Sequence, residues 1–187
     1  MVDLKAKTIL KKKGDEVYIT VNRFLVTLTW TAKVDLDLMA FYKTKDGREG
    51  GIFPEDYLGG IKGSLKQFPY IKLNSHRGMR STYPEEILGV SKLEEFTEIY
   101  ICAVSYPDFV SKKTYFFNDY DAGITLLLEK RNTIGIPLTS IEVGQIAVIA
   151  KIDNSSMISA KLINQNQIMD LLTFVNTIPG GQLLLNS

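Results

Sequence analysis

Two aspartates, Asp35 and Asp37, have the type and spacing needed for metal chemistry, and they alternate with Val34, Leu36 and Leu38. Because residues i and i+2 share one face of a β-strand, both carboxylates point to the same side of a strand, about 7 Å apart. They repel each other unless water screens them or a cation lies between them. The pair therefore fits either a solvated polar face or half of a hard-cation site, such as a calcium site.

A polar segment from Asn74 to Glu86 is the second candidate. It carries Arg77 and Arg80 against Glu85 and Glu86, so its formal charge is zero with its histidine neutral. Long irregular loops of this kind are often functional. We expect this segment to meet the aspartate strand, with a positive species between the two that fixes the loop.

The remaining chemical groups favour structural roles. His76, the single histidine, has no serine or cysteine at the spacing of a nucleophile–base motif, which favours a solvated loop residue over a general base. Cys102 stands in an apolar stretch, which favours a buried inert thiol over a role in metalloid handling. Asn118, Asp119 and Asp121 fit either a turn that bonds its own backbone or a weak cation contact.

Composition and charge exclude several classes of protein. The chain has 187 residues and a formal net charge of +1, so it lacks the basic excess of nucleic-acid binders and polybasic membrane binders. One cysteine excludes a disulfide framework and a multi-cysteine metal site. Because nucleophile motifs, histidine-rich metal spacing and phosphate-binding glycine loops are missing from the sequence, we expect a protein that is not an enzyme.

The same chain predicts a cytoplasmic protein with one domain over residues 1–187. The basic stretch near the N-terminus is not followed by the apolar segment of a secretory signal. The apolar runs are far shorter than the roughly 20 residues of a membrane helix, so we expect no membrane insertion. The length fits one domain of ordinary size.

Period-two alternation dominates the chain and predicts strands that position the candidate residues. A turn at Lys45-Asp46-Gly47 predicts a hairpin. Apolar residues at helical spacing from Ile168 to Val175 predict a C-terminal helix, and a second, weaker helix is predicted near Leu58–Gln67. We predict further strands over three stretches: Ile99–Ser105, Ile124–Leu128 and Ile146–Ile152. Many short strands with turns between them indicate an all-β fold, an antiparallel sandwich.

Aromatic residues crowd between two of the predicted strands. They are Tyr106, Phe109, Tyr115, Phe116, Phe117 and Tyr120. A plug in the core is the commoner explanation of such a cluster. A patch that binds a protein partner is the alternative, because aromatic residues are enriched at the centres of interfaces.

The sequence resembles the TerD family of tellurium-resistance and stress-response proteins over roughly residues 4–176. The most specific piece is the stretch from Val34 to Phe41, with its two aspartates, after Trp30. The likeness continues through these further pieces: Gly78, Glu85–Ile87, Val90–Leu93, Ile99–Ser105, Asp121-Ala122 with Ile124 and Leu126, and Ala147–Ala150. The resemblance implies a TerD-like β-sandwich that binds calcium between the aspartate strand and an acidic loop. It also implies stress-related functions carried out through protein partners.

The match to the family's two calcium motifs is partial. Asp35 and Asp37 match the first motif, while Asn74 and Glu85 keep positions of the second, so the resemblance implies these four as metal ligands. The family's run of aspartates has become residues 80–84, which contain no acid. Because calcium affinity depends on the number of charged ligands, we expect the calcium site to be weakened or lost.

The arginines of the loop suggest a substitute for the metal. Arg77 or Arg80 could pair with Asp35 or Asp37, since a guanidinium binds a carboxylate through two hydrogen bonds and stays charged. The sequence thus predicts a non-enzymatic binding module of the TerD type that acts through protein partners. The alternative is a calcium-dependent TerD-type stress protein with a retained cation site, in which calcium is the cofactor and orders the loop.

Overall fold

The computed structural model describes residues 8–74, 84–129 and 132–186. In these ranges the chain forms fourteen strands. They are β1 (Thr8–Ile9), β2 (Glu16–Ile19), β3 (Phe24–Thr29), β4 (Leu36–Thr44), β5 (Glu49–Ile52), β6 (Ile71–Asn74), β7 (Glu85–Val90), β8 (Phe96–Ser105), β9 (Tyr115–Phe116), β10 (Gly123–Leu127), β11 (Thr133–Pro137), β12 (Val143–Gly144), β13 (Ile146–Asp153) and β14 (Ala160–Met169).

The strands build two six-stranded sheets and a two-stranded ribbon. Sheet A has the order β1-β11-β10-β3-β7-β6, sheet B has the order β2-β14-β13-β8-β4-β5, and β9 pairs with β12. All of these pairs are antiparallel except β1 with β11. The all-β antiparallel sandwich predicted from the alternating pattern is confirmed.

Two short α-helices and three 3-10 turns complete the described chain. Helix α1 spans Tyr106–Val110 and α2 spans Leu171–Thr177. The 3-10 turns are Leu93–Glu95, Phe117–Tyr120 and Gly181–Asn186. Among the described residues, no helix has the length and apolar character needed to cross a membrane.

Strand β4 explains how the sandwich is built, because both of its faces are buried. Leu36, Leu38 and Ala40 point into the core between the sheets, where none of them is exposed. Burying each of the two leucines stabilises the fold by about 1.5–3 kcal/mol. Met39 and Phe41 point the other way and are buried in a second cluster on the outer face of sheet B.

An aromatic layer covers this outer face. Phe174 of α2 packs edge-on against Phe41, with ring centroids 5.0 Å apart, and Phe53 stacks on Phe41 at 5.8 Å. The helix begins at a capped turn, where Asp170 accepts a hydrogen bond of 2.7 Å from the backbone N–H of Thr173. The central part of β4 is therefore packed on both sides, by the core inside and by the aromatic layer outside.

The structure corrects two helix predictions and confirms the hairpin. Ile168 belongs to β14, so the predicted C-terminal helix begins only at Leu171. Residues 58–67 form no helix, because Gly59 and Gly63 take left-handed φ values of +80° and +72°, and Ile61 and Gly63 form β-bridges with Phe53 and Lys72. The hairpin joins β4 to β5, and Gly47 takes the left-handed φ of +87° that the turn needs.

Candidate functional site

Acidic side chains line a cavity of about 280 Å³ beside strand β4. Its described lining consists of Asp35, Asp37, Pro54, Glu55, Asp56, Lys62 and Glu86. The cavity exists because β5 pairs with β4 only between Ala40 and Lys43, which leaves the first half of β4 open along that edge. Five carboxylates against one ammonium group make this lining strongly acidic.

Asp37 is held by a phenol from the aromatic layer. The Tyr57 hydroxyl donates a hydrogen bond of 2.8 Å to Oδ2 of Asp37. Burial, and then the nearby charge of Asp37, raises the pKa of Tyr57 far above its ordinary value, so the phenol remains a donor. Tyr106 and Phe109 pack against the Tyr57 ring at 4.8 and 5.7 Å. The aromatic layer thus positions a donor at the cavity wall.

Glu86 reaches the cavity from the other sheet. Glu86 lies on the same face of β7 as the inward-facing Leu88 and Val90, and it stands near the start of that strand, at the end of the sandwich. Its Oε2 accepts a hydrogen bond of 2.6 Å from the backbone N–H of Leu38. This contact satisfies a donor on the open edge of β4, and it links sheet A to sheet B.

Asp35 lies at the exposed start of the same strand. It comes directly before β4, and the turn that precedes it is fixed by a hydrogen bond of 2.8 Å from the Trp30 indole to the Val34 carbonyl. Trp30 itself is buried in the core. On the opposite side, Lys62 pairs with Glu55 at 3.2 Å, with both side chains exposed. The described lining therefore contains more acidic than basic side chains.

The structure brings together only part of the site implied by the resemblance. Asp35 and Asp37 line the cavity, whereas Asn74 and Glu85 are not among its described lining. Asn74 pairs with Ile87 across β6 and β7. Glu85 neighbours Glu86 on β7, so its side chain points to the opposite face of sheet A. Of the two neighbouring glutamates at the start of β7, Glu86 and not Glu85 is therefore part of the described cavity wall.

Several predictions fall on residues 75–83, which lie outside the described residues. His76, Gly78 and the two arginines proposed as substitutes for the metal, Arg77 and Arg80, are among them. The arginine hypothesis therefore stays a prediction. Glu55, Asp56, Tyr57 and Lys62 were not among the candidate site residues predicted from the sequence. The signal for this part of the site was the acidic pair between Pro54 and Tyr57.

The described residues on their own do not fit a calcium site. Within 8–74, 84–129 and 132–186, no three acidic, histidine or cysteine side chains form a group that could hold a metal ion. Calcium takes about six to eight oxygen ligands. Asp37 and Glu86 each accept a hydrogen bond from the protein through one oxygen.

The other chemical candidates have structural positions. Cys102 is buried, as predicted, and burial raises the pKa of its thiol well above the ordinary value. Asp121 adopts a left-handed backbone conformation and accepts a hydrogen bond from Thr31, as expected of a turn residue. Phe109 and Phe117 are buried, which confirms a core plug for part of the aromatic cluster, while Phe116 is exposed.

Comparison with solved structures identifies the sandwich as a TerD-like fold. A homologue of the telluride resistance protein TerD from Streptomyces coelicolor A3(2) matches with a TM-score of 0.55 and 14% identity, over 81% of this chain and 92% of that chain. A protein of unknown function matches with a TM-score of 0.54 and 9% identity, over 80% and 92%. Identities this low relate the fold alone. The chain matches no protein-family model and no curated protein sequence.

Proposed function

We propose that this protein is a non-enzymatic binding module of the tellurium-resistance and stress-response type, which acts through protein partners with a weakened or lost calcium site. The observation that carries the proposal is the bonding inside the acid-lined cavity. The Tyr57 hydroxyl and the Leu38 N–H each donate to one carboxylate oxygen, of Asp37 and of Glu86, so the protein itself supplies donors to two of the acids.

The fold supports a presenting role. Strand β4 is buried on both faces, so the acidic edge beside it is held rigidly between the core and the aromatic layer. A rigid edge loses little conformational entropy when a partner binds, which favours recognition of a macromolecule. The raised pKa of the buried Cys102 thiol argues against covalent chemistry at that residue, since the thiolate is the nucleophile.

Thermal unfolding with calcium and with a chelator tests the proposal. A ligand that binds only the folded state must raise the melting temperature, and at one hundred times its Kd it adds about 2.7 kcal/mol. We expect nearly equal melting temperatures in chelator and in free calcium of about 10 µM, a concentration at which a weakened site stays mostly empty. A calcium-dependent rise that is absent in Asp37→Asn would instead support the calcium-dependent stress protein.

A second assay tests the non-enzymatic part of the proposal. We expect no turnover on a panel of simple esters and phosphate esters. Turnover that survives repurification and is abolished by His76→Ala would contradict a binding module.

A further inference from the structure

A groove of about 690 Å³ opens between helix α1, the start of α2 and the C-terminal 3-10 turn. The side chains of Val110, Leu172 and Leu185 line it, and they are 55%, 69% and 48% exposed. Single exposed leucines are common on protein surfaces, but a contiguous exposed apolar patch marks an interaction site. This groove lies on the outer side of the aromatic layer, because Phe109 contributes to both.

The apolar surface continues beyond the groove onto the β9–β12 ribbon. Thr114 and Gln145, which flank the two ribbon strands, also line the groove. Within the ribbon, Phe116 and Val143 are direct cross-strand partners, and both are exposed. The ribbon next to the groove therefore also presents exposed apolar side chains.

One charge of each sign lies in the walls of the groove. Lys112 follows α1, and it has no ion-pair partner among the described residues. Asp170 caps α2, where the backbone N–H of Thr173 lowers its pKa and keeps it ionised. Because the positive charge belongs to one wall and the negative charge to the other, the surface complements itself when it is rotated by a two-fold axis.

We propose that this face pairs with a second copy of the same chain. Leu172 and Val110 form the centre of the interface, and Lys112 of each copy lies opposite Asp170 of the other. The groove carries one positive and one negative charge, which favours a second copy of the chain as the partner. A different protein with a strong net charge would meet no excess of opposite charge on this surface. Each contact occurs twice in a two-fold dimer, so a single substitution counts twice.

Sedimentation velocity over a concentration series tests the proposal with the full chain. We expect the wild type to dimerise with rising concentration, and we expect Leu172→Glu to weaken the dimer at least about tenfold in Kd. Lys112→Glu and Asp170→Asn should both weaken it, and asparagine preserves the helix cap in the second variant. Met157→Glu, a change at a fully exposed residue of the β13–β14 loop, is the matched control and should leave the dimer intact.

The alternative outcomes overturn the proposal. If the wild type stays monomeric at every concentration, the dimer proposal is wrong, and the partner of this face is a different protein or a lipid surface. A dimer that Met157→Glu disrupts and Leu172→Glu preserves places the interface elsewhere. Far-ultraviolet circular dichroism confirms that each variant is folded, and Val110→Glu replaces Leu172→Glu if that chain does not fold.

Discussion

Two regions along sheet B carry many charged side chains, and among the described residues they bind those charges in different ways. Far from the cavity, one cross-strand row on the outer face runs through the neighbouring strands as Glu49, Lys43, Glu98, Asp153 and Lys161. Lys151 bridges the two adjacent acids, at 2.7 Å from Glu98 and 3.8 Å from Asp153. We name this row, together with Lys151, the charge ladder.

The acid-lined cavity, at the other end of β4, has a different arrangement in the part of the chain that the structure describes. Its five carboxylates face one lysine, and hydrogen bonds from Tyr57 and from the Leu38 amide supply further donors. The aromatic layer separates the cavity from the charge ladder along the outer face of β4, in the order Asp37, Met39, Phe41 and Lys43. The ladder thus pairs charged side chains with one another across the sheet, whereas two acids of the cavity accept hydrogen bonds from a phenol and a backbone amide.

The largest expected effect comes from breaking the layer between the two regions. Phe174→Ala removes a fully buried ring that packs on Phe41 and should lower the free energy of unfolding by about 3–5 kcal/mol. Urea unfolding measures this loss. The control is Tyr18→Ala, an exposed aromatic on β2 of the same sheet, where it pairs with Lys161, and it should lose well under half as much. Equal losses would show that the layer is not a second core.

A smaller effect is expected at the cavity wall. Tyr57→Phe removes the hydrogen bond to Asp37 and should lower the free energy of unfolding by about 1.5–2 kcal/mol, since the acceptor is charged. Tyr18→Phe removes an exposed hydroxyl and should change stability by less than about 0.5 kcal/mol. If the two variants unfold at the same urea concentration, the hydroxyl of Tyr57 does not hold Asp37.

The same tyrosine gives the protein a sensitivity to alkali. Its folded pKa is raised, so the folded state keeps a proton that the unfolded chain releases above about pH 10, and stability falls as pH rises beyond that point. Buried Tyr115 and Cys102 contribute in the same direction. Above pH 10, the free energy of unfolding of Tyr57→Phe should fall less steeply with pH, by about 1.4 kcal/mol per pH unit. Parallel slopes would contradict the burial of an un-ionised phenol.

The smallest effect is expected in the charge ladder. Lys151→Met removes the half-buried partner of Glu98 and should lower the free energy of unfolding by about 0.5–1 kcal/mol. Added salt should reduce the difference from the wild type, because it screens charges near the surface. A loss as large as that of Phe174→Ala would mean that the ladder is as important to the fold as the aromatic layer.

Local sequence patterns predicted the two-sheet sandwich but not the aromatic layer on the outer face of sheet B. Alternation along β4 predicted which residues face the core, yet whether Met39 and Phe41 face solvent or a helix depends on α2, which is more than 125 residues further along the chain. Strand β14 was missed because Asn164 and Asn166 interrupt its apolar pattern. Both are buried, and their amides donate to the carbonyls of Leu10 and Pro137.

The candidate site, too, was only partly predictable, because local patterns do not show which distant segments meet. A strand fixes the spacing of Asp35 and Asp37, so sequence alone could pair them. The choice between Glu85 and Glu86 depends on the register of β7 against β3, which sets the face that each side chain takes. Glu55, Asp56 and Tyr57 reach the cavity through an irregular segment, whose path follows from close backbone contacts such as that of Gly60 with Pro54.

Calorimetric titration of the purified protein with calcium tests the central claim most directly. If the protein's own donors hold the acidic edge, calcium binds with a Kd above about 10 µM, which is weaker than calcium-sensor sites bind. Asp37→Asn should then give the same trace as the wild type. Calcium binding tighter than this, with one site per chain and lost in Asp37→Asn, would contradict the account.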